Sequence, residues 1–398
     1  MSLLPRCAAL TVCIAFHTAV VAQATLPVGV TQTDWANTTG SGSAKLTSVV
    51  HYPAQAAGVD APLATRVGGW PVIVFLHGYA AYAANYATLG DAWAARGYVV
   101  VLSDTSLTDW FQQPLDGRAL HTAVLAANTD SRDRFFGALD TSRIALAGHS
   151  MGGASTVSVL TQNPGYDCGF VIAPALPVIG SASDVQVPFG VVAGLGDWIT
   201  PPAGHASPIY TDVDDDAPLK FYHLLDSSAD HGNIVALFGG AHPAFQHTVE
   251  AGDAFFQHCF GYDVRALEKV CGPTAEQAPL MFAASFDAAK PQMWLSGDLR
   301  IGQTTSAWIA ARPGVAILGV GSSLGPALPT EFGSLMLDPY TGFVTYVGML
   351  TSGTRLEMPL FVPNDPALDG LPVALQGLGM TAAQYAALGN AGMLHVKP

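Results

Sequence analysis

The sequence predicts a doubly wound α/β domain with a mostly parallel sheet, followed by a smaller all-β domain that resembles a sandwich. Short continuous apolar runs, such as 71–76 and 98–102, are typical of strands buried on both faces of a parallel sheet. Helical stretches alternate with these runs as far as residue 259. After residue 272, short apolar segments broken by Gly and Pro replace the helical pattern, which is typical of antiparallel β structure.

The elements of the first domain follow from the same patterns. Strands are predicted at 71–76, 98–102, 143–147, 170–173, 187–193 and 234–238, and helices at 85–96, 115–128, 155–162 and 248–259. These patterns divide the chain into an α/β domain at 25–272 and a β domain at 273–398. The last predicted strand matters most for the site, because a histidine lies on either side of it.

Composition narrows the class of protein. The chain has 398 residues, half of them hydrophobic and only 12% charged, which indicates a globular protein with a large core. Its formal net charge is −14, and its basic residues are scattered. We therefore expect no nucleic-acid partner and no binding to an anionic membrane surface.

The N-terminus has the pattern of a secretory signal peptide. Arg6 precedes an apolar stretch at 7–21, and Ala-Gln-Ala at 22–24 fits a cleavage site between small residues. The alternative is a membrane anchor, but the stretch is short for a span and is interrupted by Thr, His and Cys. We predict a signal peptide at 1–24, a secreted protein (extracellular or periplasmic) and no membrane span.

Export permits disulfide bonds among the cysteines that remain after the signal peptide is removed. Cys259 and Cys271 lie at the two ends of a short connection and are the predicted pair. Cys168 lies in an apolar, strand-like run and is predicted to be a buried thiol.

The run Gly-His-Ser-Met-Gly at 148–152 follows a predicted strand and precedes a predicted helix. In that context its glycines permit a tight turn, which presents the hydroxyl of Ser150 above the edge of the sheet. The start of the helix adds positive potential where an oxyanion would develop. The sequence therefore predicts Ser150 as a nucleophile.

A serine nucleophile needs a base, and the base needs an orienting carboxylate, which follow Ser in the order acid, His in this arrangement. Asp197 follows the predicted strand 187–193 and is favoured over Asp184, which precedes it. His242 follows the predicted strand 234–238, whereas His231 precedes it. We therefore predict His242 as the base and keep His231 as the alternative.

An oxyanion hole needs two backbone N–H groups. Met151, next to the nucleophile, and Tyr79, in the loop after strand 71–76, are the predicted donors, and the Tyr79 side chain could also wall the acyl site. No metal or cofactor is predicted for catalysis. The acidic run from Asp212 to Asp216 has the oxygen ligands that Ca²⁺ prefers, but a solvated loop is the favoured interpretation.

These residues resemble the bacterial cutinase and polyester-hydrolase family, which includes enzymes that degrade poly(ethylene terephthalate). The resemblance covers about 45–260 and is carried by Gly-Tyr at 78–79, the nucleophile run at 148–153, Asp-Trp-Ile-Thr-Pro-Pro at 197–202 and Gly-Gly-Ala-His at 239–242. It implies an α/β-hydrolase fold, a triad of Ser150, Asp197 and His242, and hydrolysis of esters or polyesters without a cofactor.

The chain departs from the family at the site that binds an aromatic acid ring. Ala175 stands where the family usually has a clamping Trp, while Trp198 directly follows the acid and offers an aromatic wall from another side. We therefore expect short or medium acyl esters and aliphatic polyesters as the main substrates, with poly(ethylene terephthalate) as a further candidate. The alternatives are a lipase or general esterase, and a non-catalytic binding module on a hydrolase fold. The C-terminal domain is expected to serve attachment to a surface or polymer, or stabilisation.

Overall fold

The computed structural model describes residues 25–339, 341, 343–350, 355–381 and 386–398. The predicted signal peptide at 1–24 lies outside the described residues. Within the described part of the chain, no helix combines the length and the apolar character needed to cross a bilayer.

A ten-stranded sheet forms the larger part of the molecule. Its strands are β1 (Val28–Ala36), β2 (Lys45–Pro53), β3 (Gly58–Val59), β4 (Trp70–Leu76), β5 (Val99–Ser103), β6 (Leu139–His149), β7 (Cys168–Ile172), β8 (Phe189–Gly194), β9 (Lys220–Leu225) and β10 (Met281–Asp287). They lie in the order β10-β9-β8-β7-β6-β4-β5-β2-β1-β3. All pairs from β5 to β9 are parallel, so these strands end at one edge of the sheet.

Helices cover both faces of this sheet, as the sequence predicts. They are α1 (Ala87–Ala94), α2 (Gln112–Thr129), α3 (Met151–Leu160), α4 (Ala206–Asp212), α5 (Pro243–Cys259) and α6 (Pro273–Glu276). Every residue of β4 is buried, and successive side chains enter opposite cores. Phe75 packs in the core that contains Trp93 of α1 and Phe255 of α5, whereas Val74 packs with Leu120 of α2.

The structure differs from the prediction at the last parallel strand. Residues 234–238 form no strand, and Asn233–Val235 is a single 3-10 turn. The strand beside β8 is β9, which the apolar pattern missed because it contains Lys220 and His223. Both side chains are nevertheless buried, since Lys220 Nζ donates to the carbonyl of Val213 (2.7 Å) and His223 Nε2 to that of Val270 (2.7 Å).

The C-terminal region consists of antiparallel sheets. Its strands are β11 (Gln292–Leu295), β12 (Thr304–Ala310), β13 (Gly314–Gly321), β14 (Leu324–Thr330), β15 (Gly333–Leu337), β16 (Phe343–Leu350), β17 (Arg355–Phe361), β18 (Pro372–Thr381) and β19 (Ala386–His395). The orders are β11-β12-β17 and β16-β13-β18-β19, with β14 and β15 as a separate pair. Met293 and Ile309 of the first sheet share one core with Leu318 and Leu375 of the second.

The two regions meet later in the chain than the predicted boundary at residue 272. β10 pairs antiparallel with β9, so residues 281–287 complete the larger sheet. Trp294 and Ala310, from the C-terminal strands, belong to the same core as Phe255. The Arg355 guanidinium also donates to the carbonyl of Cys271 at 2.8 Å. The C-terminal region is thus packed firmly against the α/β domain.

The predicted disulfide between Cys259 and Cys271 is absent among the described cysteines, whose thiols are all free. α5 packs over β7, and this brings Cys259, at the end of the helix, to Cys168 at the start of the strand. Burial raises the pKa of the Cys168 thiol well above its usual value, and a hydrogen bond with Cys259 raises it further. Cys168 is buried, as predicted, but its neighbour is Cys259.

Candidate active site

Ser150 occupies a sharp turn between β6 and α3. Its φ of 56° and ψ of −118° lie outside the ordinary regions for a residue with a side chain. The turn is possible because Gly152 approaches β4 closely, where an added Cβ would lie 2.0 Å from the carbonyl oxygen of Leu76. The backbone N–H of Ser150 donates to Ile172 at 3.1 Å. This strained turn at the start of a helix is the geometry that the 148–152 run predicts.

Asp197 lies in the loop after β8 and is buried. One of its oxygens accepts the backbone N–H groups of Ile199 and Thr200, both at 2.8 Å. The other accepts the Thr200 hydroxyl at 2.8 Å and Nδ1 of His231 at 2.7 Å. Burial alone would raise the pKa of Asp197, but the hydrogen bonds from His231 and Thr200 more than offset it and lower that pKa. Asp184, the rival acid, lies in a 3-10 turn before β8.

His231 is the histidine that meets the acid. It follows β9 and is buried, with Nδ1 against Asp197 Oδ2 and 3.1 Å from the Thr200 hydroxyl oxygen. A carboxylate accepts only, so Nδ1 carries the proton and Nε2 is left as the basic nitrogen. The arrangement fixes both the orientation and the tautomer of the ring.

His242 is not beside Asp197, which corrects the prediction from the sequence. It is half-buried at the start of α5, where its Nδ1 accepts the backbone N–H of Ala244 at 3.1 Å. The error follows from the misplaced strand. Because β9 is the real last parallel strand, His231 lies near the start of the connection from β9 to α5, whereas His242 lies at its far end, after the 3-10 turn.

Tyr79 and Met151 lie where the sequence predicts the donors of an oxyanion hole. Gly78 is so close to the nucleophile that an added Cβ would lie 3.3 Å from Ser150 Cβ. The Tyr79 N–H meets no acceptor within the described part of the chain. Met151 is the first residue of α3, so its N–H precedes the helical hydrogen bonds. Both groups can therefore donate to an oxygen near Ser150.

The loop after β5 supports the Tyr79 loop from behind. Ala80 N donates to the carbonyl of Leu107 at 2.7 Å, and His77 Nε2 lies 2.8 Å from that of Thr105. The ring of Trp110 stacks on the ring of Tyr79, with centroids 6.5 Å apart and 28° between the planes. Trp110 is not among the residues predicted from the sequence, although its position after the predicted strand 98–102 was a usable signal.

Apolar side chains are exposed in the loops at the edge of the sheet where Ser150 lies. Ala175 lies directly beneath the site, since its N–H donates to the Ser150 carbonyl at 3.0 Å and its side chain is buried. Trp198 is 81% exposed. Exposed apolar side chains occur in every loop that follows β4, β5, β7, β8 and β9, namely Tyr79, Phe111, Leu176, Val178, Trp198, Ile199 and Phe238. Exposed apolar side chains concentrated at one edge of a sheet favour binding of an apolar partner there.

One carboxylate of the acidic run from Asp212 to Asp216 forms an ion pair with a lysine of the same protein. Lys220 Nζ lies 3.1 Å from a carboxylate oxygen of Asp215. Among the described residues, no group of three or more His, Cys, Asp or Glu side chains is arranged to hold a metal ion. These observations favour the interpretation of the run as a loop tied to β9.

The doubly wound sheet and the strained serine turn define this molecule as an α/β-hydrolase. A family profile described as PET hydrolase-like matches residues 17–238, which is more than half of the chain. The chain therefore belongs to the PET hydrolase-like family. The matched region includes Ser150, Asp197 and His231 and ends before His242.

Characterised proteins of similar sequence include a bis(hydroxyethyl) terephthalate hydrolase of Streptomyces coelicolor, 30% identical over 42% of this chain and 53% of the relative. Cutinase est1 of Thermobifida alba is 30% identical over 39% of this chain and 52% of the relative. Cutinase 2 of Thermobifida cellulosilytica is 33% identical over 34% and 51%, respectively. The chain thus spans about half the length of the curated relatives it matches.

Proposed function

We propose that this protein is a serine carboxylic-ester hydrolase in which Ser150 is the nucleophile, His231 the base and Asp197 the orienting acid. The observation that carries the proposal is the 2.7 Å hydrogen bond between His231 Nδ1 and Asp197 Oδ2, in loops adjacent to the strained turn at Ser150. The names of the relatives, which include cutinases and a terephthalate-ester hydrolase, support the same chemistry.

The reaction proceeds through an acyl-enzyme. His231 Nε2 accepts the proton of Ser150 as Oγ attacks the ester carbonyl, and Asp197 stabilises the imidazolium that forms. The N–H groups of Tyr79 and Met151 donate to the oxyanion. His231 then protonates the leaving alcohol, which breaks the ester bond. Water, deprotonated by the same nitrogen, releases the acid and regenerates Ser150.

The proposed substrates are short or medium acyl esters and polyesters. The exposed apolar side chains around Ser150 favour an apolar substrate, including a polymer surface that cannot enter a deep pocket. Ala175 places a small side chain close to Ser150, and the stacked rings of Tyr79 and Trp110 offer an aromatic surface in the neighbouring loops. We include poly(ethylene terephthalate) among the polymers to be tested.

Two parts of the chain suggest where the enzyme acts. The signal-peptide pattern at 1–24 supports export from the cell, to the periplasm or beyond. We propose that the C-terminal strands provide additional contact with a surface or polymer. Their exposed apolar side chains include Val347, Met349 and Phe361.

The test is an ester panel, from p-nitrophenyl acetate and butyrate to polyester film, on the wild-type protein and Ser150→Ala. We expect the substitution to abolish turnover and to prevent covalent labelling by a fluorophosphonate probe. Retained turnover in Ser150→Ala would contradict the assignment of the nucleophile. A wild-type protein that is neither labelled nor active on any ester would instead indicate a binding module. Turnover of soluble esters without release of acid from films would indicate a general esterase.

A further inference from the structure

A chain of three hydrogen bonds links the oxyanion loop to the backbone of the base. Gly78 N donates to the hydroxyl oxygen of Tyr86 at 2.8 Å. That oxygen lies 2.9 Å from Nδ1 of His149, the residue before the nucleophile. Nε2 of His149 lies 2.9 Å from the carbonyl oxygen of His231.

The donors in this chain can be arranged in only one way for a neutral imidazole. A carbonyl oxygen only accepts, so His149 Nε2 must carry the ring proton, and Nδ1 must then accept from the Tyr86 hydroxyl. A lone pair of the Tyr86 oxygen is left to accept from Gly78 N. Burial, with a smaller contribution from the nearby His231, lowers the pKa of His149 to about 3, so the ring is neutral at the pH of catalysis.

Neither Tyr86 nor His149, the two side chains in this series of hydrogen bonds, is placed to contact a substrate. Tyr86 and His149 are each 1% exposed. The His149 ring also lies against the His231 ring, with centroids 4.5 Å apart. Tyr86 therefore contacts the backbone of the oxyanion loop, and His149 contacts both the ring and the backbone carbonyl of His231.

We propose that Tyr86 and His149 are positioning residues that hold the oxyanion loop and the His231 loop in register around Ser150. This inference rests on the proposed function. The hydrogen bond from Gly78 sets the direction of the next peptide, which presents the N–H of Tyr79. The hydrogen bond to the His231 carbonyl fixes the backbone of the loop that carries the base. A displacement of about 1 Å at groups that position the reacting atoms can reduce turnover by roughly 10²-fold.

The first test is Tyr86→Phe, with Tyr166→Phe as the matched control. Tyr166 is equally buried and donates its hydroxyl to the backbone carbonyl of Gly117 at 2.7 Å, away from Ser150. On p-nitrophenyl butyrate we expect Tyr86→Phe to lower kcat by about 10- to 100-fold with KM within about twofold. The control should retain wild-type kcat. Thermal unfolding of both variants shows whether they lose comparable stability.

The second test breaks the two hydrogen bonds of the His149 ring one at a time. His149→Asn retains an acceptor near Nδ1 for Tyr86 but loses the donor to His231, whereas His149→Gln retains a donor near Nε2 and loses the acceptor. Each should lower kcat, and adding Tyr86→Phe to His149→Gln should cost little more, because both break the same link.

Three outcomes would overturn the inference. They are a kcat of Tyr86→Phe no lower than that of Tyr166→Phe, a loss expressed in KM, and fully additive losses in the double variant. These outcomes are separable from failure of the proposed function. If His231→Ala and Ser150→Ala are inactive while Tyr86→Phe is unaffected, the triad stands and only the positioning role is lost. If Ser150→Ala remains active, the proposed function itself fails.

Discussion

The α/β domain and the C-terminal region use their strands in contrasting ways. In the parallel sheet, strands such as β4 are buried along their whole length, and their carboxyl ends meet at one edge. In the C-terminal sheets, burial varies along strands such as β12, and antiparallel neighbours direct successive loops to opposite ends. A parallel sheet therefore brings Tyr79, Ser150, Asp197 and His231 to one place, although they are far apart in the chain. This difference explains why the candidate site lies in the first region.

The largest expected effect distinguishes the two histidines, His231 and His242, in the connection between β9 and α5. His231→Ala should lower kcat on p-nitrophenyl butyrate by at least about 10³-fold, because it removes the proposed base. His242→Ala is the matched control, and should retain wild-type turnover, since its ring contacts the N-terminus of α5. The opposite result would restore the prediction made from the sequence and would contradict the observed pairing with Asp197.

The next effect concerns stability at acid pH, which we expect to depend on the α/β domain. Burial lowers the pKa of both His149 and His223 to about 3 in the folded protein, against about 6.5 when unfolded. Between these values the unfolded chain binds more protons, so the free energy of unfolding is largest above about pH 6.5 and falls as the pH decreases towards 3.

Denaturant unfolding at pH 7.5 and pH 5 measures this dependence. The two histidines together should account for about two of the protons taken up on unfolding at pH 5. His223→Gln should remove about one of them, because burial lowers the pKa of His223 to about 3 in the folded protein. A pH dependence unchanged by His223→Gln would contradict the prediction.

Removal of the C-terminal region tests whether it is needed for chemistry. A chain that ends after Asp287 keeps β10 and should retain kcat on soluble esters within a few-fold. It should unfold at a lower temperature, because Trp294 leaves the core that it shares with Phe255. Ending the chain after Gly272 also removes β10 and should lower the unfolding temperature further. Equal unfolding temperatures for the two shortened chains would show that β10 adds no stability.

The smallest expected effect compares exposed aromatic side chains in the two regions. Trp198→Ala should reduce acid release from polyester film by roughly two- to tenfold and leave p-nitrophenyl acetate turnover unchanged, because Trp198 is exposed beside the site. Phe361→Ala, on β17, is the counterpart, and should alter adsorption to the film without altering turnover. If only Phe361→Ala slows film hydrolysis, binding of the polymer depends on the C-terminal strands.

Local patterns were sufficient to place Ser150 and Asp197 at the carboxyl ends of strands, although not to test their roles. Each follows a continuous apolar run that the structure forms as a strand, β6 and β8 respectively. His231, the histidine that pairs with Asp197, could not be found from local patterns. β9 contains Lys220 and His223, whose burial depends on acceptors elsewhere in the chain, whereas the apolar run at 234–238 folds as a turn and loop. The distinction depends on tertiary contacts, which periodicity does not encode.

The same limit applies to the end of the α/β domain. β10 contains exposed as well as half-buried residues and resembles the strands that follow it, so composition changes before the sheet ends. The proposed positioning roles of Tyr86 and His149 also could not be predicted from the sequence. Tyr86 appears there as an ordinary residue in a predicted helix, and only the fold brings its hydroxyl to His149.

The late arrival of β10 has a consequence for how this protein is made. Its partner β9 ends at Leu225, but β10 begins only at Met281, after α5 and the connection that follows it. During synthesis the chain must therefore carry an open sheet edge until about residue 287 has left the ribosome. An unpaired edge is a template for association with other chains. Export before folding would keep that edge from forming inside the cell. A shortened version produced in a foreign host should therefore end after β10, so that the edge of β9 is covered.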